Sequence, residues 1–345
     1  MPNIDRKGVR DLHLELREDA CVSSDKIIEA RIPEIKVVVG AVFNNAGQVL
    51  IARRAAHLHQ GDKWEFPGGK LKSGESTLDA LRRELFEELG IQAQAFEPLI
   101  QVHYQYPDKA VFLDALKVTR YTGTPYGHEA QPLVWAAGHE LSRFTFPAAS
   151  LPILKALNLP DRYLITPAPE GDDALFLSCL EDALKRGIKL VQLRAPSLTA
   201  DRYCELAQAA IDCCHAHGAQ LLVNSEPEWA VRLQADGVHL NSARLKAMSA
   251  RPLSAPYLVA VSCHDASEIA RANAIEADLA VLSPVKATPS HPTARPLGWR
   301  AFGALCTQAL MPVYALGGMN INHLLQAKHC GGQGVAAIRG LWPCD

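Results

Sequence analysis

The chain has no apolar run long enough to span a bilayer, which excludes a transmembrane helix. It has no excess of positive charge either. Its 35 Lys and Arg stand against 37 Asp and Glu, for a net charge of −2, so there is no basic footprint for duplex nucleic acid. No pair of cysteines has CxxC spacing. The nine cysteines are odd in number, and eight of them fall after residue 160. This predicts reduced, mostly buried thiols and no disulfide framework. The N-terminal stretch MPNIDRKGVRDLHLELRED is charged and lacks the apolar core of a signal peptide. Together these absences predict a cytoplasmic protein with no membrane partner.

A chain of 345 residues, 48% hydrophobic and 21% charged, suits a soluble globular protein of two ordinary domains. Residues 1–35 are charge-rich and weakly patterned, and read as an N-terminal extension without an assigned role. Residues 36–158 read as a first domain. KVVVGAVFNNAGQVLIAR gives two strands around an Asn-Asn-Ala-Gly turn. Residues 99–121 give two more around Tyr106-Pro107-Asp108, and Trp135 begins a last strand followed by a short helix. Leu159-Pro160-Asp161 reads as a linker. From residue 162 to 345 eight short apolar runs, from YLIT to GVAAIRG, alternate with helical segments. That alternation predicts an α/β architecture, a compact TIM (β/α)8 barrel with a parallel inner sheet.

The densest chemistry lies at residues 69–91, GKLKSGESTLDALRRELFEELGI. Leu78, Leu81, Leu85 and Leu89 recur at helical spacing and form an apolar stripe. Glu84 lies three residues from Glu87 and four from Glu88, so the three carboxylates share another face. On an isolated helix such stacking is repulsive. It is explained either by a solvated acidic face or by a hard cation such as Mg²⁺, which takes oxygen ligands and bridges to phosphates. Pro67-Gly68-Gly69 and Gly74 allow tight turns and a close approach to a ligand, and Gly90 stops the helix.

Gly69, Glu75, Arg83-Glu84-Leu85, Glu87-Glu88 and Gly90-Ile91 resemble the Nudix box without a gap. The likeness to MutT-type Nudix hydrolases covers residues 36–155. It includes Arg53-Arg54-Ala55-Ala56, His59 and the run from Trp64 to Lys70. It implies a Nudix α/β/α sandwich that hydrolyses a nucleoside triphosphate to a monophosphate and diphosphate with Mg²⁺ or Mn²⁺. In the family this removes oxidised nucleotides such as 8-oxo-dGTP, in nucleotide-pool sanitation and mutation avoidance. The resemblance makes Glu84, Glu87, Glu88, the Gly69 carbonyl and Glu129 metal ligands, with Glu129 as ligand or base. Arg83 either orients a glutamate through a bidentate contact or makes a surface ion pair. Gly68 lies in the same loop. Arg54 matches a phosphate or base contact, and Phe66 either walls the pocket or packs the core. Lys109 replaces an arginine. Ser150 stands where the family's asparagine reads the oxidised guanine edge, with Asn158 the nearest amide.

Residues 162–342 resemble the thiamine phosphate synthase and TenI superfamily through Val191–Arg194, Leu222–Asn224, Asp236–Leu240, Val261–His264, Ser283–Val285 and Ala315–Met319. The resemblance implies a phosphate site at Gly317 and Gly318 for a thiazole phosphate-type ligand. Ser225 and the segment Asn241–Arg244 replace the synthases' metal acids, and Pro196 replaces a lysine. What remains is a metal-free proton shuttle through His264, or His264 as a structural residue of the barrel mouth. Two further readings stay open. The first half could act on a thiamine-pathway diphosphate, and the barrel could be a silent binding module.

Overall fold

The computed structural model describes residues 34–57, 60–169, 171–288 and 293–343. Residues 1–33, and with them nearly all of the expected extension, lie outside the described residues, as does His59. Glu34 and Ile35 already belong to the first strand, which thus begins two residues before the expected 36.

The first half has two sheets. One has the order β4-β1-β6-β5 and the other β3-β2-β7. The strands are β1 Glu34–Val42, β2 Val49–Arg53, β3 Trp64–Glu65, β4 Gly68–Lys70, β5 Gln92–Gln105, β6 Ala110–Thr122 and β7 Leu133–Ala136. The pair β1–β6 is parallel, whereas β1–β4 and β5–β6 are antiparallel. The Asn44–Gly47 turn joins β1 to β2 but delivers them to different sheets.

Helix α1 (Thr77–Leu89) covers one side of this layer. Ser76 caps it by accepting the Asp79 amide at 3.2 Å, and Gly90 closes it in the left-handed conformation. Leu81, Leu85 and Leu89 are buried with Val38, Val42 and Leu50. Leu78 departs from the expected stripe: it is 38% exposed, and Ala80 is buried in its place. The helix is rotated so that i, i+1, i+5 and i+9 face the sheet from Ala80, which leaves Leu78 in the first turn toward solvent. Helix α2 (Leu151–Asn158) buries Ile153 and Ala156 in the other apolar cluster, with Ile51, Phe66 and Phe146. Helices on both sides of the sheets give the expected α/β/α sandwich.

The second half is a closed barrel of eight parallel strands in sequential order. They are β8 Arg162–Ile165, β9 Leu190–Leu193, β10 Gln220–Val223, β11 Gly237–Leu240, β12 Leu258–Cys263, β13 Leu279–Leu282, β14 Val313–Ala315 and β15 Gly334–Ala337. Around it lie α3 Asp173–Lys185, α4 Ala200–Ala216, α5 Pro227–Arg232, α6 Ser242–Ala247, α7 Ala266–Ala274, α8 Gly298–Cys306 and α9 Leu324–His329. All eight apolar runs are strands. Tyr163, Leu222, Val281 and Tyr314 fill the interior, so the barrel is a packed core and not a pore. Among the described residues no helix is long and apolar enough to cross a membrane.

Leu159-Pro160-Asp161 is a packed joint, not a loose linker. Leu159 is buried in the barrel's inner cluster. The Tyr314 hydroxyl donates to the Pro160 carbonyl. Gln333 Nε2 donates to the carbonyls of Ala156 and Leu159 at 3.0 and 2.9 Å. Lys155 donates to the Ala277 carbonyl at 2.8 Å and pairs with Asp278 at 3.4 Å. These contacts come from residues over a hundred positions downstream, which no local pattern reveals.

Among the described residues six cysteines are free thiols, and burial pushes Cys263 up to about 12. Cys179 departs from the expected reduced state and is disulfide-bonded. Pairing depends on Cα proximity in the fold, which sequence spacing does not report.

Candidate active sites

The first site is built where β4 passes under α1. A side chain at Gly69 would stand 2.3 Å from Glu84 Cδ. Only glycine lets the strand come this close to the helix, and that approach brings the Gly69 backbone against the Glu84 carboxylate. One residue earlier, the Gly68 amide donates to Glu88 Oε2 at 3.1 Å. Loop and helix are thus stitched together at the two acids that share a face.

Arg83 holds the acidic face together. Its Nε and Nη2 grip Glu75 at 2.8 and 2.9 Å. Nη1 reaches Glu84 at 2.6 Å and Glu87 at 3.1 Å. The hydrogen bonds from Arg83 bring the Glu75 carboxyl down to about 2. Of the two readings for Arg83, the structure has the bidentate one, and its partner is Glu75. Glu87 points outward, with its side chain 53% exposed.

Glu88 is the most perturbed acid. Burial pushes its carboxyl up to about 8, with the charges of Glu65, Glu84 and Glu129 adding to the rise and the Gly68 amide opposing it. Glu129 is exposed on the loop after β6. That loop is docked on α1: Gln131 accepts the Glu129 amide at 2.8 Å and donates to the Glu88 carbonyl at 3.1 Å. Glu65 pairs with Arg54, and burial raises its carboxyl despite that partner. Among the described residues no three His, Cys, Asp or Glu side chains already converge as a ligand cage. The donor set is nonetheless all oxygen, as a hard divalent ion requires. A cation would also relieve the crowding around Glu88.

The other residues expected to meet the substrate lie beyond Arg54. Phe66 is buried and stacks on Phe146 with centroids 5.5 Å apart, so it packs the core beneath the site. Lys109 Nζ lies 5.9 Å from the Tyr106 ring centre. The Tyr106 hydroxyl accepts the Ala149 amide at 3.4 Å. Tyr106 therefore links Lys109 to the loop that carries Ser150, which is itself buried at the start of α2. Asn158 does not stand in for the missing amide. It lies at the far end of α2, about 12 Å along the axis, and donates to the Leu154 carbonyl at 3.0 Å. Glu65, Tyr106 and Gln131 were not singled out from sequence. Glu65 sat in the quoted Trp64–Lys70 run, which was the available signal. Tyr106 read as a turn residue and Gln131 as loop.

The second site is the C-terminal mouth of the barrel. His264 follows β12 and is exposed; its Nδ1 lies 2.7 Å from the Ser283 carbonyl. A carbonyl only accepts, so Nδ1 carries the proton and the neutral ring keeps Nε2 as an acceptor. Gly317 and Gly318 take φ of 94° and 65°. They run beside the same loop as Ser283, and the Lys286 amide donates to the Gly317 carbonyl at 3.1 Å. His264, Gly317 and Gly318 thus share one rim.

Below the rim runs a half-buried to buried polar chain whose members stand in separate fragments of the sequence. Arg244 Nη1 donates to Asn224 Oδ1 at 3.3 Å, and Asn224 Nδ2 to Gln192 Oε1 at 3.0 Å. Gln192 Nε2 donates to the Tyr163 hydroxyl at 3.5 Å. Tyr163 meets His239 Nδ1 at 3.0 Å, and His239 Nε2 meets Ser262 at 2.8 Å. Burial brings His239 down to about 3, so the ring is neutral. With Tyr163 already accepting, it donates to Nδ1, and Nε2–H donates to Ser262. Every donor points the same way along the chain.

Comparisons with known proteins agree with this division. The NUDIX domain family matches residues 34–166, and the family described as thiamine monophosphate synthase matches residues 162–341. An 8-oxo-dGTP diphosphatase of Escherichia coli K12 is 38% identical over 124 residues, 36% of this chain and 96% of the relative. A CTP pyrophosphohydrolase of the same organism is 38% identical over 119 residues, 34% of this chain and 88% of the relative. A putative thiamine-phosphate synthase of Geobacter sulfurreducens is 36% identical over 181 residues, 52% of this chain and 85% of the relative. The chain belongs to the Nudix hydrolases through its first half and to the thiamine monophosphate synthase family through its barrel.

Proposed function

We propose that the first half, taken as residues 36–158, hydrolyses a nucleoside triphosphate to the monophosphate and diphosphate, with 8-oxo-dGTP as the leading substrate. The observation that carries this is Glu88: a half-buried carboxyl crowded by three other acids and tied to the Gly68 amide. Glu84, Glu87, Glu88, Glu129 and the Gly69 carbonyl would hold Mg²⁺ or Mn²⁺. When bound, such an ion neutralises phosphate charge and lowers the pKa of water. The chain's own residues do the rest. Arg83 fixes the Glu84 and Glu87 carboxylates in place. Gln131 ties the Glu129 loop to α1, so that Glu129 can serve as ligand or base. Arg54, held by Glu65, offers its guanidinium to phosphate or base.

A second substrate reading has its own support. Ser150 lacks the paired donor and acceptor of an amide, Asn158 is tied elsewhere, and one relative is a CTP pyrophosphohydrolase. An unoxidised pyrimidine triphosphate fits these observations. The test is turnover efficiency of the full-length protein with Mg²⁺ on 8-oxo-dGTP, dGTP and CTP. A preference for 8-oxo-dGTP over dGTP supports the leading reading. Preference for CTP selects the second, and no release of diphosphate from any of the three defeats both.

For the barrel we propose a metal-free proton shuttle on a thiazole phosphate-type ligand, with His264 Nε2 as base. The Ser283 contact supports it by fixing the tautomer. Ser225 and the segment Asn241–Arg244, standing in place of the metal acids, support it because they leave no carboxylate there to hold a metal ion against a departing diphosphate. The test is thiazole tautomerisation by the full chain and by His264→Ala. Loss of activity in the variant supports the shuttle, and an inert wild type leaves a binding module.

A further inference from the structure

Neither catalytic site uses the cavity at the joint. It encloses about 300 Å³, the small end of the range for small-molecule sites. Lys117 on β6 with Pro98 and Leu99 on β5 form one wall, and the barrel floor forms the other. Four cations line it: Lys117, Arg162, Lys189 and Lys328. Arg162 and Lys189 stand at the N-terminal ends of β8 and β9, at the end of the barrel opposite His264.

The charge there is unbalanced. Asp161 is the one acid in the lining, and it is shared by Lys328 at 3.2 Å and Arg162 at 3.7 Å. Lys189 is held by the His217 carbonyl. Lys117, half-buried, has neither a hydrogen bond nor an ion pair among the described residues. Glu97 lies opposite it in the β5–β6 register. Burial, and then the Lys328 charge, push the Lys117 ammonium down. Gln333, also in the lining, is committed through Nε2 to the carbonyls of the joint and offers the cavity no charge.

We propose that this cavity is a binding site for a small phosphate-type polyanion, of the size of inorganic diphosphate. Its oxyanions meet Lys117 and Lys328. The assignment rests on the cavity and not on the reading of either catalytic site. Because Lys117 comes from the first half and the other cations from the barrel, an anion bound there ties the halves together, and its binding energy adds to their joint stability.

The experiment is lysine acetylation of the full-length protein, read peptide by peptide with Lys185 as reference. It is run with inorganic diphosphate, with inorganic phosphate, and with chloride at matched ionic strength. The expected result is labelling of Lys117 and Lys328 slowed at least fivefold by diphosphate or phosphate and not by chloride. The more protective of the two identifies the ligand's charge class. In Lys328→Gln, and separately in Lys189→Gln, the half-protecting concentration at Lys117 should rise at least fivefold. Equal protection by chloride reduces the effect to screening and overturns the site. Absence of protection, or protection unchanged in both variants, also overturns it.

Discussion

Glu88 and Gly68, twenty residues apart, are joined across the first site by a 3.1 Å hydrogen bond from the Gly68 amide to Glu88 Oε2. This bond faces the crowding of Glu65, Glu84 and Glu129 and only partly offsets it. The site therefore carries an electrostatic cost that the rest of the fold supports.

That cost sets the first prediction. The Glu88 carboxyl stands at about 8 in the folded chain against 4.5 ordinarily. The native state thus binds the extra proton between those values, and stability falls as pH rises from 4.5 through 8. Glu88→Gln should stabilise the metal-free protein at pH 8 and leave it unchanged near pH 4.5. Hydrolysis should fall by about 10² or more. Denaturation at the two pH values and a turnover assay check both halves. A variant no more stable at pH 8 contradicts the crowding.

The second prediction concerns Arg83, which reaches Glu75, Glu84 and Glu87 at once. Lysine keeps the charge but not the planar fork. Arg83→Lys should lower kcat by about tenfold and raise the Mg²⁺ concentration for half-maximal activity, with a smaller change in KM. If KM alone moves, Arg83 contacts substrate instead of positioning the acids.

Base reading gives the third. Ser150→Asn restores an amide at the start of α2. The efficiency ratio of 8-oxo-dGTP to dGTP should rise by about tenfold, the worth of one buried hydrogen bond of about 1–3 kcal/mol. An unchanged ratio places base discrimination elsewhere in the pocket.

His239 provides the fourth. Its folded value of about 3 lies below the ordinary 6.5, so the unfolded chain binds the proton between them. Stability from this group is full above about 6.5 and is lost as pH falls toward 3, at up to about 1.4 kcal/mol per pH unit. His239→Gln keeps one acceptor for Tyr163 and one donor for Ser262 without titrating. The acid limb of the melting temperature should flatten by about one proton's worth between pH 6.5 and 4. An identical slope in the variant rules the ring out as the acid-sensitive group.

Much of this was legible in the sequence where the signal was local. The spacing of Leu81, Leu85 and Leu89 and the Gly90 stop define α1 within one turn. The eight apolar runs are eight strands because a strand buried on both faces must be apolar along its length. The placement of Arg83 beside Glu87 also follows from helical spacing. What stayed hidden depends on tertiary encounters. Leu78 reads as core until the edge of the sheet is known. Glu65 is an ordinary strand acid until β3 is set beside α1. The chain from Arg244 to Ser262 draws its members from five separate stretches, and only barrel closure aligns their side chains. Leu159-Pro160-Asp161 has a linker's composition and a core residue's burial.

That joint bears on how the protein is made. During synthesis the first half leaves the ribosome early, while Gln333 follows Ala156 by 177 residues. Until Gln333 and β15 emerge and the barrel shuts, the apolar cluster around Leu159 is incomplete and the carbonyls of Ala156 and Leu159 lack the Gln333 donor. The last strand therefore completes both halves at once. A nascent chain cut short before residue 333 would present an unsealed apolar edge where quality-control proteases act, so the fusion exposes its own truncated products.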